Sequence, residues 1–310
     1  MPAFLDRTLL AAVLSLGLLG TSRAQGVLDV LDGETLYEGG SLVTLGFEME
    51  RGETLRAGRD RIDDPADTSE STLRTTFAWQ YGLRHDLQLG IAVPFVRHTR
   101  DSDLEDLVGS GLGDVELLAK WRVYRWDAPG KALNVALLGQ LSLPTGEDDA
   151  ETVGLRHEPE LQAGSGGLDP ALGLGITHEP GRWRFNAAAL HRWRTDSDGD
   201  GFALGDEFVA ELAVGNRFWL EPYPGPFMRA DLVFRWYHEA RSETQPIALP
   251  LDSPLRDSGG DRATLGVNWA FRPRPALDLQ LGLEVPIWQD VHGTQVGEDW
   301  ALDLSLGFRF

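Results

Sequence analysis

The stretch WALDLSLGFRF, residues 300–310, sets Trp300, Leu302, Leu304, Leu306, Phe308 and Phe310 at every second position, with Asp303, Ser305 and Arg309 between them. A period of two marks a β-strand with two unlike faces, because successive side chains point to opposite sides of a sheet. The stretch is long for a soluble strand, which clusters near about 5 to 6 residues, and suits a strand that crosses a bilayer, which needs about 9 to 11.

The pattern repeats upstream. LDLQLGLEV (277–285), LQLGIAVPF (87–95) and LRTTFAWQY (73–81) alternate in the same way. Along the chain the alternation predicts twelve strands, near 41–50, 72–82, 87–96, 114–124, 132–143, 169–178, 183–194, 207–218, 227–238, 262–271, 276–286 and 300–310. An even number of long alternating strands predicts an all-β fold: a transmembrane antiparallel up-and-down β-barrel of about 12 strands.

The connections test this, because outer-membrane barrels alternate short periplasmic turns with longer outward loops. The spans 51–71, 97–113, 144–168, 195–206, 239–261 and 287–299 are long, whereas 83–86, 125–131, 179–182, 219–226 and 272–275 are short. Charge divides the same way. The long connections hold 28 acidic and 9 basic residues, a balance of −19 in a chain whose net charge is −20, while the short ones are slightly basic. Tryptophans fall mostly toward strand ends, as in the aromatic girdles of a membrane barrel, with Trp121 and Trp269 placed less clearly.

The first residues, MPAFLDRTLLAAVLSLGLLGTSRAQG, give Arg7, an apolar run from Thr8 to Leu19 and small residues up to Ala24. This is the pattern of a secretory signal peptide over 1–24, cleaved before Gln25. Residues 25–40 then form an N-terminal periplasmic or lumen-plugging segment, and 41–310 the barrel. The implied location is the outer membrane of a Gram-negative bacterium, with outer-membrane lipid and lipopolysaccharide as surroundings. The chain has no cysteine, which excludes disulfides and thiolate chemistry. Its acidity argues against a nucleic-acid partner.

Three further stretches, GSGLGDVELLAKWRVYR (109–125), LSLPTGEDD (141–149) and GSGGLDPALGLG (164–175), stand in an order and spacing that resembles the outer-membrane family named for the MetA pathway of phenol degradation. The resemblance implies a barrel of about this length with a transport role, possible aromatic or hydrophobic solutes, and no catalytic residues. One departure from the family is the acidic EGG at 38–40, just before the first strand. Read without the family, Gly109, Gly111 and Gly113 turn a loop back into the fourth strand. Asp114 and Asp169 stand at strand starts, where a carboxylate satisfies free backbone N–H groups.

The inward face carries the candidate lumen-lining residues Arg74, Glu116, Lys120, Arg122, Arg184, Arg217, Arg229, Asp231, Arg235, Arg262, Glu284 and Asp303. These either pair with one another or line a path for a polar or anionic solute. A barrel of about 8 strands is filled by side chains and one of 16 to 18 is open, so twelve predicts a narrow or partly plugged lumen. Gly46, Gly266, Gly282 and Gly307 face inward on strands that become neighbours on closure, and segment 25–40 is expected to pack against them. Phe308 and Phe310 resemble the C-terminal aromatic signal read by the barrel-assembly machinery.

RTDSDGDGFALGDEF (194–208) has the spacing of a calcium-binding EF-hand loop, with Asp196, Asp198, Asp200, the Phe202 carbonyl and Glu207 as oxygen ligands. Its flanks are strands, so a helical calcium switch is excluded, while a weak outward Ca2+ site in the 195–206 loop stays open beside an acidic turn. Outer-membrane phospholipase A is also a twelve-stranded barrel, but its His-x-Ser pairing on one strand is absent here, since none of the seven histidines has serine two residues on. The sequence therefore predicts a non-enzymatic channel or transporter for a small-molecule solute. The alternative is a structural or surface-interaction barrel with acidic, cation-binding outward loops.

Overall fold

The computed structural model describes residues 31–103, 106–147, 151–152, 155–156, 161–195, 202–244 and 258–310. Among them run twelve long strands: β1 (Ser41–Gly52), β2 (Ser69–Arg84), β3 (Leu87–Asp101), β4 (Val115–Ala128), β5 (Lys131–Leu143), β6 (Asp169–Pro180), β7 (Trp183–Arg192), β8 (Glu207–Leu220), β9 (Phe227–Glu239), β10 (Gly260–Arg274), β11 (Leu277–Val291) and β12 (Trp300–Arg309). Each pairs antiparallel with its neighbour, and β12 returns to β1 in a ladder from Leu42 opposite Arg309 to Arg51 opposite Trp300. Closure follows from the outer face. In hydrocarbon an unpaired backbone group costs several kcal/mol, so strands cross only where no edge remains.

The two faces are sorted as the alternation requires. On β2, Leu73, Phe77 and Trp79 are exposed, while Thr76, Ala78 and Gln80 between and beside them are buried. Large apolar side chains outward and small or polar ones inward reverse the order of a soluble protein and fit a belt that faces lipid.

The strands are longer and several short turns tighter than the alternation predicts. The connection expected over 125–131 shrinks to Pro129-Gly130, with Gly130 at φ 69°, a left-handed conformation that glycine adopts without strain. β3 begins opposite Trp121, so 122–128 of β4 pair with β5 alone and extend past the periplasmic rim. That places Trp121 at the rim, where its indole N–H donates to Asp86 (3.3 Å). The tryptophan therefore belongs to the girdle after all.

The upper half departs further. Residues 106–112, expected in a loop, form a strand paired with β3 from Phe95 opposite Leu112 to Asp101 opposite Asp106, whereas β4 pairs with β3 only from Ala92 downward. Alternation failed to flag this strand because glycines occupy part of its inward face. A Cβ at Gly109 would run into the Leu161 carbonyl, and one at Gly111 into the Glu147 side chain. The glycines let Glu147 and Leu161 of the third outward loop approach the strand closely. A smaller outward sheet joins Thr54–Ala57 to Asp60–Arg61 and Thr294–Gly297.

Candidate functional site

The site is the lumen and the chain segment inserted into it. Residues 31–36 enter from the periplasmic end and lie against the wall of β3 to β7. The Gly33 N–H donates to Thr177 Oγ1 (3.0 Å), and the Leu36 N–H to Gln88 Oε1 (2.8 Å). Asp32 is the anchor: one carboxylate oxygen takes Lys120 Nζ (2.5 Å) and the other Arg184 Nη2 (3.1 Å). All three side chains are buried. Removing one member of such a group leaves the others poorly compensated in a low dielectric, a cost of about 3–5 kcal/mol.

The expected resting place of this segment, the wall carrying Gly46, Gly266, Gly282 and Gly307, is not where it lies. It sits on the opposite side, where Gly175 gives it room: a Cβ there would run into the Asp32 carbonyl. The polar partners decide the matter. Lys120 and Arg184 project from β4 and β7, whereas the four glycines offer the segment no donor for Asp32. The EGG at 38–40 is the turn into β1, with Gly39 at φ 77° and the Gly40 N–H bonded to the Tyr37 carbonyl (3.0 Å).

From the segment a hydrogen-bonded chain runs along the inner wall from β6 to β11. Thr177 donates to Asn186 Oδ1 (2.8 Å), Asn186 Nδ2 donates to Glu211 (3.0 Å), Arg235 binds Glu211 (2.7 Å) and Glu284, and Thr264 donates to Glu284 (3.0 Å). Of the residues singled out in the sequence, Glu116 meets Arg192 (3.4 Å), Arg74 lies 3.8 Å from Glu48, Arg229 holds Asp231 (2.8 Å), Arg262 holds Glu298 (2.8 Å) and Arg217 holds Glu179. Asp303 faces Glu48 across the β1–β12 ladder. Arg122 lies at the periplasmic turn instead, donating to the His85 carbonyl.

An apolar band also lies inside the barrel. Leu118, Leu138, Leu190 and Val209 point inward on β4, β5, β7 and β8, and with Leu31 and several alanines they make one buried cluster. The alternation treats the inward face as polar and passes over this band. Its signal was a break in the alternation itself, since VELLAK, NVALLGQ and NAAALHR carry apolar residues on both faces.

Below the band the lumen is not filled. A cavity of about 220 Å³ lies between the inserted segment and the wall of β1 and β8 to β12, lined by Asp32, Leu36, Leu42, Asp278, Arg272 and Arg309 among others.

Above the band a polar latch holds the outward loop 144–168. Asp114 accepts the N–H groups of Thr145 (3.1 Å), Gly146 (2.8 Å) and Ser165 (2.7 Å) and the Ser165 hydroxyl (2.7 Å). The Ser165 hydroxyl also lies 3.0 Å from Asp169, which holds Arg194 (2.5 Å), and Arg194 reaches Glu207. These carboxylates keep the Arg194 guanidinium charged against its burial, which opposes the charge. The three stretches that carry the family resemblance meet at this latch.

Glu207 thus gives one oxygen to Arg194. Asp196, Asp198 and Asp200 lie outside the described residues, and Phe202 starts a two-residue strand paired with Glu243–Thr244. His191 faces outward, edge-on to Trp193 at 4.6 Å. Phe308 and Phe310 are exposed, and Phe310 closes the barrel seam through reciprocal backbone bonds with Ser41 (2.8 and 3.0 Å).

The model of the family described as "Putative MetA-pathway of phenol degradation" matches residues 63–292. The chain belongs to this family. No curated protein sequence matches it. Among solved structures it is similar to the COG4313 outer membrane channel from Pseudomonas putida F1, at 18% identity and a TM-score of 0.67, over 90% of this chain and 98% of that one. Weaker likenesses are to the β domain of the Bordetella autotransporter BrkA (12% identity, 88% and 100% covered, TM-score 0.48) and to the CymD monoaromatic hydrocarbon channel (11% identity, 96% and 98% covered, TM-score 0.41). At these identities the likeness is one of fold, that of a closed outer-membrane barrel.

Proposed function

We propose that this family member is an outer-membrane channel for small solutes with an apolar body. The observation that carries the reading is the inward band of Leu118, Leu138, Leu190 and Val209 around Leu31, set between polar mouths. An apolar solute that passes along these side chains loses water contact at roughly 25 cal/mol per Å² of its surface. The family's tie to phenol degradation and the Pseudomonas channel that shares the fold support the same class. Solute moves without chemical change, so no catalytic residue is required.

The test is transport by the purified barrel. In proteoliposomes, phenol is expected to equilibrate faster than in protein-free vesicles, and planar bilayers are expected to show small, discrete conductance steps. Leu138→Asn should slow phenol entry while leaving the conductance steps in place. A barrel that gives neither phenol entry nor conductance would return the alternative of a surface-interaction protein.

A further inference from the structure

The periplasmic cavity has a wall whose charges are not balanced pair by pair. Asp278 projects from β11 between Arg272 of β10 and Arg309 of β12, and takes both: Arg272 Nε binds one carboxylate oxygen, and Arg309 Nε binds the other at 2.6 Å. Two guanidinium groups therefore share one carboxylate of their own wall, and the cavity's other carboxylates, Asp32 and Glu34, belong to the inserted segment. Because both bonds use Nε, the Nη amino groups of both arginines stay outside them. Arg229 repeats the arrangement, meeting Asp231 through Nε at 2.8 Å. All three arginines line the cavity.

Beside this arginine pair stand three apolar side chains in a lining that is otherwise mostly polar. Leu42 stands opposite Arg309 in the β1–β12 ladder and lines the cavity, with Phe227 and Leu36 nearby. Arg272 lies over the Phe227 ring at 4.9 Å from its centroid, which fixes the guanidinium through its face and leaves its edge for hydrogen bonding. The volume is about 220 Å³, far above the roughly 10–15 Å³ that a single water requires on this measure.

We propose that this cavity is a binding site for a small organic carboxylate with an apolar body: the carboxylate on the Nη groups of Arg272 and Arg309, the body against Leu42, Leu36 and Phe227. Guanidinium edges and carboxylates are matched donors and acceptors, and the ligand takes the Nη groups that Asp278 leaves outside its own two bonds. The site rests on the channel reading for its role, as the last station before the periplasm, but its occupancy does not require conduction.

Calorimetry on the full-length mature barrel in detergent tests it, with sodium benzoate as the probe and sodium acetate and benzyl alcohol as controls. Benzoate is expected to bind, with acetate and benzyl alcohol each weaker by about tenfold, or 1.4 kcal/mol. Arg272→Gln and Arg309→Gln should each weaken benzoate by about tenfold or more, and Asp278→Asn should tighten it, since both guanidiniums lose their internal competitor. If the three residues only fasten the strands together, Asp278→Asn will not tighten benzoate. Leu42→Glu provides a variant that keeps both arginines and sets a rival carboxylate beside Arg309; it should abolish binding. Heat-modifiable gel mobility verifies that each variant is folded. Equal binding of benzoate and benzyl alcohol, equal binding of acetate, or benzoate heats unchanged in the folded arginine and leucine variants would overturn the proposal. A barrel that conducts but ignores benzoate loses this site and keeps the channel; one that binds benzoate but neither conducts nor admits phenol keeps the site and loses the channel.

Discussion

The wall of β3 to β7 and the wall of β9 to β12 with β1 are both lined by polar inward side chains, yet one is covered and the other open. On the covered wall Gln88, Lys120, Thr177 and Arg184 all bond to the inserted segment, and the positions between them are small: Gly175, Ala136, Ala188. On the open wall the arginines bond to carboxylates of their own wall and face a cavity. The difference teaches that inward polarity by itself does not say whether a lumen is plugged. What decides it is whether the wall's donors are already satisfied within the wall, because a buried donor or acceptor left without a partner costs about 1–3 kcal/mol.

The largest expected effect comes from breaking the covered side by shape. Gly175→Val places side-chain atoms where the Asp32 carbonyl lies, so the segment must leave its seat and single-channel conductance should rise several-fold. Gly307→Val on the open wall is the matched control. Its new Cβ would meet Leu42 Cδ1 at 3.2 Å and the Asp278 Cβ at 3.3 Å, a tight fit without the segment nearby, so conductance should stay the same or fall. Equal rises in both variants would show that the two walls do not differ in the way described.

Breaking the covered side by charge comes next. Asp32→Ala leaves Lys120 and Arg184 without their shared carboxylate, a loss of about 3 kcal/mol from the docking of the segment. The conductance record should then flicker between a small and a larger state, and a protease added from the periplasmic side should clip the chain before Ser41. Asp32→Glu, which keeps the charge, should restore much of the quiet record. A smaller loss, about 2 kcal/mol for the removed charge-assisted hydrogen bonds, is expected from Asp114→Ala at the outward latch. It frees the N–H groups of Thr145, Gly146 and Ser165 and should make loop 144–168 cleavable from outside without altering the docking of the segment.

Much of the barrel was legible in the sequence because its selection rule is local. A strand between lipid and lumen must alternate, so Leu302 to Phe308 declare their strand without help from the rest of the chain. The strand at 106–112 was not legible, because Gly109 and Gly111 are required by the close approach of the Leu161 backbone and the Glu147 side chain, contacts more than thirty residues away. The inward charges were visible one at a time, but their partners depend on register: Arg235 reaches Glu211 and Glu284 only because β8 to β11 align them. The apolar band was hidden by the rule that revealed the strands, since an inward leucine reads as an interruption. The spacing of Asp196 to Glu207 fits an ion loop letter by letter; one oxygen of Glu207 binds Arg194, and Asp196, Asp198 and Asp200 lie outside the described residues.

The smallest effect concerns the β1–β12 seam, which lies within the open wall. Phe310 is exposed, lies tilted beside Phe308 with ring centroids 5.9 Å apart, and contributes to closure through its backbone bonds to Ser41. Any residue can make those backbone bonds, so Phe310→Ala should change the thermal midpoint of the folded barrel by no more than a surface substitution does, about 0.5 kcal/mol. If the aromatic side chain acts instead as the signal for barrel assembly, the same variant should lower the amount of folded protein in the outer membrane, seen as less heat-modifiable barrel per cell. A fall in yield with an unchanged midpoint assigns the ring to assembly. A fall in both would assign it to the seam, and the open wall would then depend on its C-terminal edge for stability as the covered wall depends on Asp32.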